Sequence, residues 1–135
     1  MINYIQLTPS NIVHTIMSTP KTLPDVESIK QVDSFKPEYV GSKWDGQVYR
    51  KLKITPTKTT LILNEITNIF IDWVDIDGNA IMYGEDVELS CNGMTEDVKI
   101  INGVGSTIFE SAESGEFTIV ASSGGVTTNY KVVVS

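Results

Sequence analysis

The chain has 135 residues, of which 41% are hydrophobic and 20% are charged, a composition typical of one globular domain with a buried core. Its formal net charge of -7 would repel a phosphate backbone, so nucleic acid is not expected as a partner. The single cysteine, Cys91, and the single histidine, His14, exclude a disulfide framework within one chain and a zinc site of the usual ligand spacing.

Residues 1–50 are interrupted by proline, and they are predicted to form an extended arm. Four of the five prolines lie here, at positions 9, 20, 24 and 37. Proline removes an amide donor and fixes its own backbone angle, so one long regular element is not expected. The stretch "SNIVHTIM" is compatible with a short helical turn capped by Ser10 or Asn11, although its β-branched residues oppose a helix.

A small hairpin is predicted near the end of this arm, where Asp45-Gly46 provides a tight turn between "SKW" and "QVY". It would pair Trp44 with Val48 or Tyr49, and it must rest on the remainder of the chain or on another subunit because an isolated hairpin is marginally stable. The candidate partner-binding residues are the aromatic side chains of the arm, namely Phe35, Tyr39, Trp44 and Tyr49. Internal packing and anchoring to a neighbouring subunit are both open for these rings.

From Lys51 onward, apolar and polar residues alternate with period two, which predicts an all-β, immunoglobulin-like antiparallel β-sandwich over residues 51–135. Trp73, in a stretch that is nearly apolar on both faces, is the bulky core candidate. The predicted strands cover residues 51–55, 59–63, 68–76, 86–92, 98–101, 106–109 and a C-terminal hairpin that turns at "SSGG" (residues 122–125).

Four stretches of this second part carry a family resemblance: "LKITPTKTTLILNE", "VDIDGNAIMYGEDVELSC", "NGVGSTIF" and "ESGEFTIVASSGG". In this order they resemble the strands and turns of bacterial immunoglobulin-like domains, including the invasin-type repeats and their relatives in phage virion proteins. In the arm, "PEYVGSKWDGQVYRKL" resembles short segments of phage tail and tail-accessory proteins.

The resemblance implies a non-enzymatic structural protein of a phage particle, a decoration of the capsid or the tail. Residues 1–50 would be the docking segment, and residues 51–135 would be displayed. The implied partners are capsid or tail subunits, or further copies of this chain. The start "MINYIQLTPS" lacks the pattern of a secretion signal, and no apolar run is long enough for a membrane span, so the expectation is synthesis in the host cytoplasm and residence in the virion, without membrane contact.

The acidic stretch "DWVDIDGNAIMYGEDVELSC" raises the question of a metal site. Aligning it on Gly78 as an EF-hand loop places Trp73 at the first ligand position and Gly84 at the last, so the required ligands are missing. A looser calcium site is an alternative, built from Asp75, Asp77, Asn79 and either Glu85 or Asp86. We interpret "DIDGN" instead as a polar turn held by its own side chains, and therefore predict neither a metal nor another cofactor.

No catalytic residue is predicted, and the chain is not expected to be an enzyme. Cys91 lies in the apolar phase of its strand, which favours a core position, and His14 lies in the arm with no triad around it. The alternative function is a receptor- or glycan-binding adhesion module that recognises a host surface glycan. Apart from Tyr83 and the "DIDGN" turn, the ends of the predicted sandwich are poor in groups that would bind a sugar.

Overall fold

The computed structural model describes residues 1–135 and contains twelve β-strands, one 3-10 turn at Pro37–Tyr39 and no α-helix. The strands are β1 Ile2–Leu7, β2 Val13–Thr19, β3 Ile29–Val32, β4 Lys43–Trp44, β5 Tyr49–Pro56, β6 Thr60–Leu61, β7 Thr67–Asp75, β8 Val87–Cys91, β9 Met94–Val98, β10 Val104–Phe109, β11 Gly115–Ser123 and β12 Val126–Val134. The protein is therefore all-β, as predicted, and no helix long and apolar enough to cross a membrane occurs in it.

Strands β4 to β12 form an immunoglobulin-like sandwich of two sheets. One sheet has the strand order β10-β7-β5-β4, and the other has the order β6-β12-β11-β8-β9. Because the side chains of a strand alternate between its faces, the inward residues of both sheets meet in one core of 16 buried residues. The predicted core residue Trp73 lies in it and is 0% exposed.

Strands β1, β2 and β3 form a third, antiparallel sheet with the order β2-β1-β3, which we call the N-terminal sheet. The expected extended arm with a single small hairpin is therefore more ordered than predicted, and the helical turn considered for "SNIVHTIM" is wrong, because Val13–Thr19 is strand β2. Asn11, with φ 64°, lies in the turn before it. The placement of a domain boundary near residue 50 stays a prediction.

The N-terminal sheet buries its own apolar side chains in a second, smaller cluster. The five buried members of this cluster are Ile5, Leu7, Val13, Val32 and Tyr39, and Trp44, Tyr49, Ile16 and Ile76 pack against them half-buried. Most of the apolar content of residues 1–50 is thus accommodated within one chain.

The predicted hairpin is confirmed, and it joins the two parts of the molecule. β4 pairs with β5 so that Trp44 faces Tyr49, and the carboxylate of Asp45 accepts hydrogen bonds of 2.8 Å from the amides of Gln47 and Val48. On its other side the hairpin bonds to the N-terminal sheet, since the amide of Val13 donates to Ser42 (2.9 Å) and the amide of Trp44 to Asn11 (2.9 Å). A continuous set of main-chain hydrogen bonds therefore connects the N-terminal sheet to the sandwich.

Two predicted strands are displaced. The strand expected at residues 98–101 is β9, which ends at Val98, and the strand expected at residues 59–63 shrinks to Thr60–Leu61. The first four residues of β9 are all exposed, so they carry no alternation for a sequence pattern to detect. The turn Gly124-Gly125 lies where "SSGG" predicted it, with φ 57° and 92°.

Candidate functional site

The charged residues at the junction of the two parts surround one buried arginine. Arg50 lies on β5 in the same phase as the core residues Leu52 and Ile54, and it is 2% exposed. Its guanidinium carbon lies 3.9 Å from the ring centroid of Tyr83 and 5.1 Å from that of Trp73. Two aromatic faces thus replace part of the water that a cation loses on burial.

Two carboxylates neutralise this cation. The Nη2 atom of Arg50 lies 3.1 Å from Glu85 Oε2, and Nη1 lies 3.7 Å from Asp45 Oδ2. Burial alone would raise the pKa of Asp45. The hydrogen bonds from the amides of Val48 and Gln47 and the charge of Arg50 act in the opposite direction and are together stronger, so the pKa of Asp45 is lowered. The Nε atom of Arg50 is buried without a partner. The positive charge of Arg50 is therefore compensated by carboxylates, although its Nε donor has no hydrogen-bond acceptor.

Glu85 is the acceptor at which this network converges. Its Oε2 atom accepts a 2.6 Å hydrogen bond from the Tyr83 hydroxyl, and its Oε1 atom accepts one of 3.0 Å from Ser123. Its main-chain oxygen accepts the indole N–H of Trp73 at 3.0 Å. The Tyr83 hydrogen bond is the main cause of the lowered pKa of Glu85, and it acts against the effect of burial. Glu85 is therefore a charged structural centre that joins β5, β7, β11 and the segment before β8.

An open cleft of about 610 Å³ lies above this network, between the N-terminal sheet and the sandwich. Trp44 and Tyr83 contribute aromatic rings, Lys30 and Lys43 contribute positive charge, and Glu27 adds a carboxylate. Lys43 also donates a 3.1 Å hydrogen bond to the carbonyl of Gly124. The cleft, which we call the junction cleft, combines apolar ring surface with both kinds of charge, a combination that suits polar ligands with several hydroxyl groups.

The four aromatic residues predicted to bind a partner divide into two groups. Tyr39 packs edge-on against Tyr49 with ring centroids 5.0 Å apart, and Trp44 lies 4.5 Å from Tyr49. These three rings belong to the smaller cluster, with Tyr39 buried and the other two half-buried. Phe35 is different, because it is 51% exposed. The partner role of all four residues stays a prediction, and Phe35 has the most free surface for it.

The "DIDGN" segment forms the polar turn that we inferred from its sequence. The Oδ1 atom of Asp75 accepts hydrogen bonds from the amides of Asp77 (2.9 Å) and Asn79 (3.0 Å). Asp77 itself pairs with Lys36 at 2.9 Å. No group of three or more His, Cys, Asp or Glu side chains is close enough to hold a metal ion. The carboxylates considered for a looser calcium site are thus engaged separately.

Cys91 and His14 have surroundings that differ from those of a catalytic pair. Cys91 lies half-buried at the end of β8, packed against the main core, and burial raises the pKa of its thiol. His14 lies exposed on β2 and its Nδ1 atom is 2.9 Å from the hydroxyl of Thr15. A thiol with a raised pKa is a poor nucleophile at neutral pH.

The Arg50 network was not predicted from the sequence. Arg50 is the only arginine of the chain, and it occupies the apolar phase of β5, one residue before the strand that was predicted at residues 51–55. A charged residue in a buried phase requires a compensating carboxylate, so this position carried a usable signal. Its main partner, Glu85, lies 35 residues further along the chain, where no local pattern indicates it.

The fold and the junction define a small, all-β module of the immunoglobulin-like class. No protein-family model matches the chain, and no curated protein matches it. The chain is similar to the crystal structure of the CARDB domain of the PF1109 protein from Pyrococcus furiosus, which was determined in complex with di-metal ions. The identity is 11%, the match covers 76% of this chain and 100% of that one, and the TM-score is 0.48.

It is also similar to the solution NMR structure of the same CARDB domain, with 12% identity and a TM-score of 0.43. That match covers 63% of this chain and 93% of the other. At these values the likeness carries no argument about ligands or function. The immunoglobulin-like class rests on the strand order of the two sheets.

Proposed function

We propose that this chain is a non-enzymatic structural protein of a phage particle, a decoration of the capsid or the tail. Its N-terminal sheet would contact the particle and its sandwich would be displayed. The observation that carries the proposal is the junction, where main-chain hydrogen bonds join the N-terminal sheet to the hairpin of β4 and β5, and where Arg50 ties this hairpin to Glu85 in the segment before β8. A module held at one end and displayed at the other requires such a rigid connection.

The use of the polar side chains supports a structural role. Asp75 holds its own turn, Glu85 joins three strands to the junction, and Asp77 pairs with a lysine. General acid or base catalysis requires a titratable group that faces a reacting atom with its proton free to move. These three carboxylates are instead committed to hydrogen bonds that stabilise the fold.

The contact with the particle is assigned to the N-terminal sheet because the segment that resembles phage tail proteins, residues 37–52, begins directly after it, and this part also keeps exposed apolar side chains next to free sheet edges. Phe35 is 51% exposed and Val40 is 44% exposed. Strands β2 and β3 are the two edges of a three-stranded sheet, and a free edge offers unpaired main-chain groups to a neighbouring subunit. The phage setting itself rests on the sequence resemblance described above.

Mass spectrometry of particles purified from the source that encodes the chain tests this proposal. We expect the chain in intact particles, and its absence from them would refute the proposal. Phe35→Asp should reduce incorporation, whereas Phe70→Asp is the matched control, since Phe70 is 40% exposed on the outer face of the sandwich. Equal incorporation of both variants would contradict the assignment of the contact to the N-terminal sheet.

A second candidate function, glycan binding at a host surface, is favoured by the junction cleft. Sugars bind through stacking on aromatic rings and hydrogen bonds to charged groups, and Trp44 offers such a ring beside Lys30 and Glu27. A glycan array probed with and without calcium tests this function. Sugar-specific binding that disappears in Trp44→Ala and persists in Phe70→Ala would favour it over a purely structural role.

A further inference from the structure

The two sheets of the sandwich leave a groove open along one side, between their edge strands β9 and β10. This groove has a volume of about 700 Å³, and its lining includes Ile69, Leu89, Phe117 and Ile119 from the main core. At its mouth Met94 is 77% exposed and Ile108 is 64% exposed. Hydrogen bonds of 3.0 and 3.1 Å from the Thr107 hydroxyl to the carboxylate of Glu96 connect the two edges across it. The core is thus less well covered here than along the rest of the sandwich.

Both walls of this groove carry unpaired main-chain groups. In an antiparallel pair, every second residue directs its main-chain N–H and C=O groups toward the partner strand. The 2.9 Å hydrogen bond from the Trp73 amide to Gly103 shows which residues of β10 do so, and the main-chain groups of Ser106 and Ile108 therefore point away from β7. In β9 the two-residue turn Asn92-Gly93 makes Cys91 and Met94 a hydrogen-bonded pair, which leaves Thr95 and Asp97 unpaired. An extended chain that adds to either of these edges would find unpaired main-chain groups as hydrogen-bonding partners.

The charges around this groove indicate the chemistry of its occupant. Three of the lining residues are acidic, Glu96, Glu110 and Glu113, and none is lysine or arginine. A second copy of this chain, with its net charge of -7, would meet repulsion at this rim. An occupant with lysine or arginine beside the rim, and apolar side chains toward the floor, complements both features.

We propose that the groove binds an extended segment of another protein, with apolar residues at alternate positions and basic residues between them. Its apolar side chains would cover the exposed part of the core, and its backbone would add to a free edge as an additional strand. Because side chains of a strand alternate between two faces, this sequence pattern presents the apolar face to the floor and the charges to the rim. This inference is independent of the phage setting.

The single cysteine offers a direct readout, because Cys91 lines the groove and is the only thiol of the chain. The probe is a nine-residue blocked peptide of alternating valine and lysine, and the measured quantity is the rate at which a maleimide modifies Cys91 in the intact protein. Peptide at a concentration that fills four-fifths of the sites should slow modification about fivefold, since only the free fraction reacts. A valine and glutamate peptide, and a peptide of the first composition without alternation, should leave the rate unchanged.

Variants at the rim test the role of charge. In Glu110→Lys/Glu113→Lys the peptide concentration that gives half-maximal protection should rise about tenfold, because two attractive pairs become repulsive. Glu88→Lys/Asp33→Lys is the matched control, with two exposed carboxylates outside the lining, and should match the parent protein. Equal protection by the lysine and glutamate peptides, or protection by neither, would overturn the proposal. Protection that increases with protein concentration alone, together with a dimer in size-exclusion chromatography, would identify a second copy as the occupant and would also overturn it.

Discussion

Replacing Arg50 by methionine tests whether the buried network at the junction stabilises the fold. Methionine keeps an unbranched, apolar side chain of similar reach and removes the charge, so the contacts of the stem with the core are largely kept. The cation contacts with Tyr83 and Trp73 and the ion pairs with Glu85 and Asp45 are lost. The substitution therefore isolates the electrostatic part of the junction from its packing.

The size of the effect follows from these contacts. The charged hydrogen bond to Glu85 contributes about 2 kcal/mol, and the contact with the two rings contributes about 1 kcal/mol. The pair with Asp45, 3.7 Å apart, adds little more than a surface ion pair, about 0.5 kcal/mol. Methionine also removes the unpartnered Nε donor, which offsets about 1 kcal/mol. The remaining carboxylate of Glu85 is 39% exposed and keeps Tyr83 and Ser123 as donors, so it adds little further cost and a net loss of about 2.5 kcal/mol is expected.

Urea unfolding followed by tryptophan fluorescence measures this loss. The two tryptophans report on both parts of the molecule, because Trp73 lies in the main core and Trp44 packs against the smaller cluster. A loss of about 2.5 kcal/mol lowers the urea midpoint by about 1 M for a chain of this size. Lys53→Met, on the exposed face of the same strand, is the control and should change stability by less than about 0.5 kcal/mol. If Arg50→Met were as stable as this control, the network would be a consequence of the fold and would not contribute to its stability.

Three further predictions concern acid stability, a crowded turn and an exposed connection. The pKa of Glu85 is lowered from its ordinary value of 4.5, mainly by the Tyr83 hydrogen bond, so its contribution to stability is present above that value and is lost as the pH falls through the folded pKa. The difference in urea midpoint between the parent and Glu85→Gln should be constant near neutral pH and should decrease as the pH falls into the acid range. Glu88→Gln is the exposed control. Gly103→Ala should lower the free energy of unfolding, measured in urea, by more than about 3 kcal/mol, because a Cβ atom there would lie 2.1 Å from a main-chain oxygen. Gly93→Ala, with open space around it, should lower it by about 1 kcal/mol. Trypsin should cut first after Lys21, in the exposed connection between β2 and β3. Because β1 pairs with both of these strands, the two fragments should elute together from a gel-filtration column until urea is added. Progressive loss of residues 1–50 as small peptides would contradict the N-terminal sheet.

The sandwich was predictable because its information is local. A strand with one buried face alternates with period two, and β8, β11 and β12 show this alternation in sequence and in burial. Tight turns have their own residue preferences, which placed Gly124-Gly125 and the Asp75 turn correctly. The exposed strand β9 has no such pattern, and it was displaced in the prediction because only its pairing with β8 makes it a strand.

The N-terminal sheet was missed because proline was given too much weight. Pro9 and Pro20 lie in the connections on either side of β2, and Pro24 lies between β2 and β3. Proline at those points ends a strand without preventing the next one. Strand β1 pairs not only with its neighbour β2 but also with β3, more than twenty residues further along the chain. A pairing of that kind depends on loop closure and mutual burial, neither of which a short window of sequence contains.

The arginine at the junction shows where a sequence pattern reaches its limit. The alternation of β5 places Arg50 inside with Leu52 and Ile54, whereas the desolvation of a charge opposes burial. Which tendency prevails depends on whether carboxylates and aromatic rings converge on the same point, and Glu85 reaches it from 35 residues away. A conflict between pattern and charge at one position therefore predicts that a distant partner exists, without identifying it. In this protein the conflict marks the point where the turn between β4 and β5 is tied to the segment before β8, beside the main-chain hydrogen bonds that join the N-terminal sheet to the same hairpin.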